Sequence, residues 1–254
     1  MRTWITCGLA MGLFVLGSGS AFAAWERVQD FEELAPGPVS KAPGWITRSE
    51  ASVFDIVSDP SGRHLRSGRS SGDWRYWWAA LPLPSPLPTS GTATLFLRFR
   101  WRPDAANELD FSIGLTRAAP AEHADYGLYG VQLAGTRTPD GLMLRVRDGA
   151  DLTEVLLGLP PETWVQCWLV VDVGARTFRV FLAPGTGDAA EAHQLGQVFR
   201  FREGWPEGAA ITHFAAMRST KQGEATFEVD DLWVDRTGIN LRSPLANAPA
   251  IRAR

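Results

Sequence analysis

The densest group of aromatic side chains in the sequence is a run of five residues between Asp73 and Ala79. Alternate side chains of a strand point to opposite faces, so Trp74, Tyr76 and Trp78 share one face. Arg75 and Trp77 share the other face. Flat aromatic rings stack on the apolar faces of sugar rings, and arginine donates hydrogen bonds to polar groups. The run therefore predicts a glycan-binding surface, with a buried core as the alternative because tryptophan is mostly buried in proteins.

Two carboxylates stand two residues apart in Glu108-Leu109-Asp110 and would point the same way on a strand. A retaining glycosidase needs a nucleophile and an acid about 5–5.5 Å apart. The stretch resembles the start of the laminarinase-type E-[LI]-D-x-x-E strand, in which the two glutamates do the chemistry. Here Ser112-Ile113-Gly114 follows and the third carboxylate is missing. A solvated strand edge is therefore favoured over hydrolysis.

Other common catalytic patterns are not found in the sequence. It has no H-E-x-x-H motif, no cysteine pair for zinc and no glycine-rich phosphate loop. Cys167 lies in the run WVQCWLVV, where strand alternation places it with Val165 and Leu169. This pattern predicts a buried and inert thiol.

The elements that would hold these residues are β-strands. In residues 92–101 (TATLFLRFRW), one face is apolar from Ala93 to Trp101, while Arg98 and Arg100 lie on the other. Turn-forming stretches such as Pro-Asp-Gly at 139–141 separate similar runs and predict hairpins. The similar runs are 51–58, 109–116, 127–134, 142–147, 163–173, 177–183, 197–201, 211–217 and 225–235. Ten or more short strands without crossover helices predict an all-β antiparallel sandwich or barrel.

The ends of the chain differ in composition from this β-rich region. Arg2, an apolar run and the small residues Ala21-Phe22-Ala23 match a secretory signal peptide over residues 1–23. We therefore expect a single domain at 24–240, followed by a flexible tail at 241–254 that is rich in Ala, Pro and Arg. The protein would be exported to the periplasm or the cell exterior, with no membrane span after signal cleavage. The formal charge of -3 argues against nucleic acid as a partner.

Three stretches together resemble secreted jelly-roll domains of the laminin-G and concanavalin A-like lectin/glucanase superfamily, in particular its bacterial members. They are 127–133 (GLYGVQL), 163–172 with 177–181, and 227–235 (FEVDDLWVD) with 237–241. The resemblance implies a jelly-roll sandwich and leaves function open among glucanases, lyases, lectins and structural modules. Lyases of this fold use Arg, Gln, His and Tyr on one sheet. Gln132 and Tyr129 would fit such a sheet, but the four histidines are scattered.

Four carboxylates are candidates for a structural Ca²⁺ site. Alternation would place Asp231 on the apolar face of its strand, which is costly for an ionised group without a partner. Either a bulge realigns the strand or Asp231 has a partner. Jelly-roll relatives bind Ca²⁺ where the first and last strands meet, and this resemblance implies Asp30, Glu32, Asp230 and Asp231 as ligands. The alternative is hydrogen bonds from backbone amides or an arginine pair.

The sequence thus favours a secreted, non-catalytic module that binds a glycan or another cell-envelope component through residues 74–78. A polysaccharide-degrading jelly-roll enzyme is the first alternative. A structural or interaction domain without a small ligand is the second. The sequence does not indicate the oligomeric state.

Overall fold

The apolar and polar alternation of the sequence folds into β-strands in the computed structural model. The structure describes residues 25–48, 53–68, 76–103, 109–121, 125–219 and 225–246. Within them, regular structure consists of strands and three 3₁₀ turns, at Val39–Lys41, Tyr126–Leu128 and Glu191–His193. None of the described residues forms a helix long and apolar enough to cross a membrane. The predicted signal peptide lies outside the described residues.

Sixteen strands are present in the described part of the chain. They are β1 (Glu26–Gln29), β2 (Gly37–Pro38), β3 (Ile46–Thr47), β4 (Phe54–Asp59), β5 (Gly62–Ser67), β6 (Tyr76–Pro82), β7 (Thr92–Arg102), β8 (Asp110–Thr116), β9 (Tyr129–Thr138), β10 (Gly141–Asp148), β11 (Asp151–Leu159), β12 (Val165–Asp172), β13 (Thr177–Pro184), β14 (Gln194–Arg200), β15 (His213–Ser219) and β16 (Thr226–Asp235).

The strands form two antiparallel sheets that pack as a sandwich, as predicted. The nine-stranded sheet has the order β14-β13-β12-β7-β16-β5-β4-β2, with β1 also paired to β16. The seven-stranded sheet has the order β11-β10-β9-β8-β15-β6-β3. Consecutive strands form hairpins at the sides of the sheets, whereas neighbours such as β7 and β16 or β15 and β6 are distant in sequence, so each sheet brings together residues from several parts of the chain.

The main hydrophobic core lies between the two sheets. The predicted inward face of β7 is confirmed, because its five apolar residues from Ala93 to Trp101 are at most 2% exposed. Cys167 is also fully buried in this core, as predicted. Burial raises the pKa of its thiol well above the ordinary value. The thiol therefore stays protonated and inert at neutral pH.

A β-bulge shifts the alternation of β16 at Asp231. Asp231 has a φ of 54°, and the pairing register with β7 shifts between Asp230 and Trp233. After the bulge the inward residues are Leu232 and Val234, whereas simple alternation would place Asp231 and Trp233 inward. The bulge therefore turns the carboxylate of Asp231 away from the core, and Asp231 forms an ion pair with Arg98. The bulge and the partner for Asp231, which were proposed from the sequence as alternatives, are therefore both present.

Residues 241–246 pack on the outer face of the nine-stranded sheet. Leu241 and Leu245 pack against a cluster that contains Trp168. The indole N–H groups of Trp25 and Trp168 donate to the backbone oxygen of Arg242 at 3.2 and 3.3 Å. Residues 241–246 therefore belong to the packed domain, which corrects the prediction of a flexible tail from residue 241. Residues 247–254 lie outside the described residues.

Candidate functional site

The outer face of the seven-stranded sheet carries one continuous cross-strand row of side chains. Direct pairing joins Trp78 to Met217, Met217 to Ser112, Ser112 to Ala134, and Ala134 to Arg145. One end of this row is aromatic and the other end is basic. The face therefore combines two kinds of side chain that a ligand can contact together.

The aromatic run predicted as a glycan platform is divided between the two faces of β6. Trp77 points into the main core and is 5% exposed. Trp78 points to the outer face but is only 3% exposed, and Tyr76 is partly exposed on that same face. Trp74 and Arg75 lie outside the described residues. Among the three described aromatics, Tyr76 is thus the one that a ligand can reach.

The segment between β8 and β9 adds a second accessible tyrosine. The Asp125 carboxylate accepts a hydrogen bond from the Gly127 backbone N–H at 2.6 Å and caps the 3₁₀ turn that carries Tyr126. The rings of Tyr126 and Tyr76 lie 4.6 Å apart at 55°. Burial, and secondly the charge of Asp110, raise the pKa of Tyr126. Tyr126 therefore stays a neutral, partly exposed ring at physiological pH.

Tyr129 fills the space above the small residues of the same face. Its ring packs with Ala80 and Ala215, next to Gly114 in the sheet. The hydroxyl group lies 3.2 Å from the backbone oxygens of both Ser112 and Ala215. Burial raises the pKa of Tyr129 well above its ordinary value. This tyrosine is therefore a fixed structural donor and is not positioned to transfer a proton.

A buried hydrogen-bonded chain fixes the basic end of the face. The side-chain amide of Gln132 donates to Ser112 Oγ at 2.8 Å, and its oxygen accepts from Arg147 Nε at 3.2 Å. Arg147 also donates to the backbone oxygen of Ala150 at 2.7 Å. These contacts hold the guanidinium of Arg147 in one place.

Two further arginines surround Arg147. Arg145 donates to Thr136 Oγ1 at 2.5 Å. Burial, followed by the positive charge of Arg202 and to a smaller degree that of Arg145, lowers the pKa of Arg147 to about 10. Arg147 is therefore repelled by the charges of Arg202 and Arg145 and attracted by that of Asp151. We call the surface formed by Tyr76, Tyr126, Arg145, Arg147 and Arg202 the tyrosine–arginine face.

Two open cavities border this face. One has a volume of about 430 Å³ and is lined by Asp125, Gly127 and Leu128; the other, of about 470 Å³, is lined by Ala150 and Asp151. The turn at 202–205 contributes to both cavities. Gly130 allows this turn to pack closely, because a Cβ atom there would lie 2.6 Å from the Trp205 ring. The cavities are large enough for one or two sugar units beside Arg202, which lines both of them.

The predicted calcium ligands have other partners in the structure. Asp30 accepts from Arg27 at 2.5 Å, and Glu32 accepts from the Arg63 backbone N–H at 3.2 Å. Arg98 forms ion pairs with Asp230 and Asp231, at 2.7 and 2.5 Å. The arginine alternative to calcium is therefore present at Asp230 and Asp231. Calcium at these residues stays a prediction.

A different group of three candidate metal ligands lies on the outer face of the nine-stranded sheet. Among the described residues, Asp59, His64 and Glu228 place one ligand atom each within 4.8 Å of the others. The guanidinium of Arg100 donates to both carboxylates and lies 3.4 Å from His64 Nε2. Arg100 thus supplies the positive charge that a metal ion would bring. This arrangement fits an ion-pair network and does not fit a metal centre.

That network is dense and covered by one tryptophan. Glu228 is fully buried and also accepts from Arg66 and Arg102, at 2.6 and 3.0 Å. Burial acts to raise the pKa of Glu228, but hydrogen bonds from His64 and Arg100 prevail and lower it to about 2. The Trp164 ring lies over Arg100, with 4.4 Å between the guanidinium carbon and the ring centroid. The network is therefore ionised and shielded.

Comparisons with known proteins identify the fold. A scan of family models finds no match, and a search of curated proteins finds no relative. A glycoside hydrolase family 131 catalytic domain from Coprinopsis cinerea has a TM-score of 0.58 at 11% identity, covering 87% of this chain and 99% of that domain. The carbohydrate recognition domain of Emp47p has a TM-score of 0.53 at 12% identity, covering 84% and 95%. Lectin UEA-II, complexed with galactose, has a TM-score of 0.51 at 8% identity, covering 82% and 97%.

The chain shares the jelly-roll fold of these three solved structures. The resemblance seen in the sequence is therefore confirmed for the fold. Identities of this size show no more than the fold. The choice between sugar binding and sugar cleavage has to come from the residues of this chain.

Sequence reasoning found part of the tyrosine–arginine face. Tyr76 was in the predicted set, and the structure places Gln132 and Tyr129 on the same sheet face, as the lyase comparison required. Tyr126 and the three arginines were not predicted. Arg145 and Arg147 alternate with apolar residues in a predicted strand, and this pattern was the available signal. Glu108, of the possible hydrolase pair, lies outside the described residues.

Proposed function

We propose that this protein is a non-catalytic glycan-binding module and that the tyrosine–arginine face is its binding site. The observation that supports the proposal most strongly is the partly exposed pair of Tyr76 and Tyr126 in the same sheet face as fixed polar groups. Aromatic rings provide flat apolar contact for sugar rings, while guanidinium and hydroxyl groups bind sugar oxygens. Known carbohydrate sites are concave, with few polar groups held in fixed positions.

The fold neighbours support this class of function. They include a carbohydrate recognition domain and a lectin with bound galactose. A glycan outside the cytoplasm would also fit the predicted signal peptide. We extend the proposal to polysaccharides of the cell envelope or the surroundings, which an exported protein can meet.

Polysaccharide cleavage is the alternative, and the family 131 catalytic domain among the neighbours favours it. Acid–base catalysis needs groups that gain and lose protons near neutral pH. The two tyrosines next to Ser112 and Asp110 both have a raised pKa, and Tyr129 is fully buried. Neither tyrosine is therefore suited to act as a general base at neutral pH.

Binding can be tested by screening the purified protein on a glycan array and then titrating it with the best ligand. Tyr126→Ala should weaken binding about tenfold, which corresponds to about 1.4 kcal/mol for one lost stacking contact. Tyr126→Phe keeps the ring and should bind within about twofold of wild type. Ile239→Ala, at a residue that is 55% exposed on a distant loop, serves as the matched control.

Three results would contradict the proposal. The first is no binding to any glycan on the array. The second is equal affinity of wild type and Tyr126→Ala. The third is release of reducing or unsaturated ends from the bound polysaccharide, which would establish the enzymatic alternative.

A further inference from the structure

The arginines on the two outer faces of the sandwich differ in whether they form ion pairs. On the nine-stranded sheet, Arg66, Arg98, Arg100 and Arg102 all form ion pairs with carboxylates. On the seven-stranded sheet, Arg145, Arg147 and Arg202 form no ion pair with any residue that the structure describes. The protein as a whole carries a formal charge of -3. The positive charge of the second group is thus not neutralised by an ion pair within the described part of the chain.

The contacts of these three arginines leave hydrogen-bonding capacity free. Arg147 is only 5% exposed, and it donates hydrogen bonds to a side-chain amide oxygen and a backbone carbonyl, both neutral. Arg145 donates to a neutral hydroxyl group. The buried Nε atoms of Arg145 and Arg202 meet no acceptor within the described part of the chain. Arg145 and Arg202 are partly exposed, so their guanidinium groups can donate to an oxyanion at the surface.

Like charges held together cost free energy unless an anion neutralises them. Arg145 and Arg202 both contribute to lowering the pKa of Arg147, as described above. The charge of Asp151 raises the pKa of Arg147 by more than the charge of Arg145 lowers it, and Asp125 raises the pKa of Arg202, although neither aspartate forms an ion pair with these arginines. A bound anion would relieve this repulsion, so the free protein is prepared for an anionic ligand.

We propose that the glycan bound by the tyrosine–arginine face is an anionic polysaccharide, whose carboxylate or sulfate groups contact Arg145, Arg147 and Arg202 while a neighbouring sugar ring packs on Tyr126. This inference rests on the proposed function and adds the substrate class. Sugar carboxylates and sulfates present the same chemistry, an oxyanion with two or three acceptor atoms. The arms of the test below distinguish them.

The test uses two pairs of polymers that differ only in charge. Polygalacturonate is compared with its methyl ester, and dextran sulfate is compared with dextran. Affinities are measured for the purified wild type and for Arg145→Gln and Arg202→Gln. Both arginines are partly exposed, so these variants should fold, and their melting curves check this. Arg27→Gln removes an arginine that is 48% exposed on β1 and is the matched charge control.

We expect wild type to bind at least one charged polymer and to bind its neutral counterpart about tenfold more weakly. Arg145→Gln and Arg202→Gln should each lose about tenfold on the charged polymer, while Arg27→Gln stays within about twofold. Preference for polygalacturonate assigns the anion as a carboxylate. Preference for dextran sulfate assigns it as a sulfate.

Other outcomes would overturn the inference in distinguishable ways. Equal binding of charged and neutral polymers, unchanged in the two variants, rejects the anionic class and leaves glycan binding intact. An equal loss in Arg27→Gln shows attraction to overall charge and rejects this site. Binding to none of the four polymers rejects the anionic class, and an additional failure on the glycan array rejects the proposed function as well.

Discussion

Substitution of Glu228 by glutamine gives a quantitative test of the ion-pair network on the nine-stranded sheet. The Glu228 carboxylate is fully buried and accepts from three arginines, Arg66, Arg100 and Arg102. Glutamine keeps the size of the side chain and removes the charge. The guanidinium groups then lose a central counterion without leaving the protein interior.

The magnitude follows from the pKa of Glu228. Its ordinary value is 4.5, and in the folded protein it is about 2. At about 1.4 kcal/mol per pKa unit, the ionised carboxylate contributes about 3 kcal/mol to the free energy of unfolding. Removal of one member of a buried ion pair costs about 3–5 kcal/mol in other proteins. We therefore expect Glu228→Gln to lose about 3 kcal/mol at pH 7.

The sign of the pH dependence follows from the lowered pKa. A carboxyl group with a depressed pKa in the folded state stabilises the protein fully above its unfolded pKa. It loses that contribution as the pH falls towards the folded pKa. The difference in the free energy of unfolding between wild type and Glu228→Gln should therefore be largest above about pH 5.5. At pH 3 it should be smaller by about 2 kcal/mol.

Urea unfolding followed by tryptophan fluorescence at pH 7 and pH 3 measures this gap. Asp148→Asn is the control, because its partner Arg200 is 69% exposed and such pairs contribute about 1 kcal/mol or less. A gap between wild type and Glu228→Gln that stays the same at both pH values would refute the reasoning. A loss no larger than that of Asp148→Asn would do so too.

Three further predictions concern packing, reactivity and metal binding. Gly114→Ala places a Cβ atom 2.0 Å from a backbone oxygen of β9 and should lower the free energy of unfolding in urea by about 3 kcal/mol. The control Gly187→Ala, where a Cβ atom would have no neighbour within 4 Å, should lower it by less than about 1 kcal/mol. Equal losses in the two variants would contradict the packing described. Cys167 should not react with a thiol reagent in the folded protein and should react fully in denaturant, and rapid labelling of native protein would show that the thiol is not buried. Because Arg98 already neutralises two of the predicted calcium ligands, we expect melting temperatures with calcium and with EDTA to agree within about 1 °C, and a rise of several degrees with calcium would support the calcium prediction.

The sequence predicted the fold class and several local features for clear physical reasons. Period-two alternation identified the inward face of β7, and a charged residue on an apolar face indicated the bulge at Asp231. Cys167 was correctly placed by its apolar neighbours. Each of these features depends on a few consecutive residues, and strand geometry fixes what such residues do.

The tyrosine–arginine face could not be predicted in the same way. It depends on the strand order β10-β9-β8-β15-β6, which brings Trp78 and Met217 into direct pairing although they are distant in sequence. Tyr126 reaches the face from a connecting segment with no periodic pattern. The pairing of arginines with carboxylates also depends on how the strands assemble into sheets. The aromatic run as a binding surface stays a prediction, and Trp77 of that run is buried in the main core.

The central claim is that a glycan binds the outer face of the seven-stranded sheet. Amide hydrogen exchange measured by mass spectrometry, with and without a saturating concentration of the glycan that binds most tightly on the array, locates the bound ligand directly. The account predicts slower exchange in β8 to β10 and in the segment around Tyr126, with little change elsewhere. Protection confined to the nine-stranded sheet around Trp164, or no protection in either sheet, would contradict it.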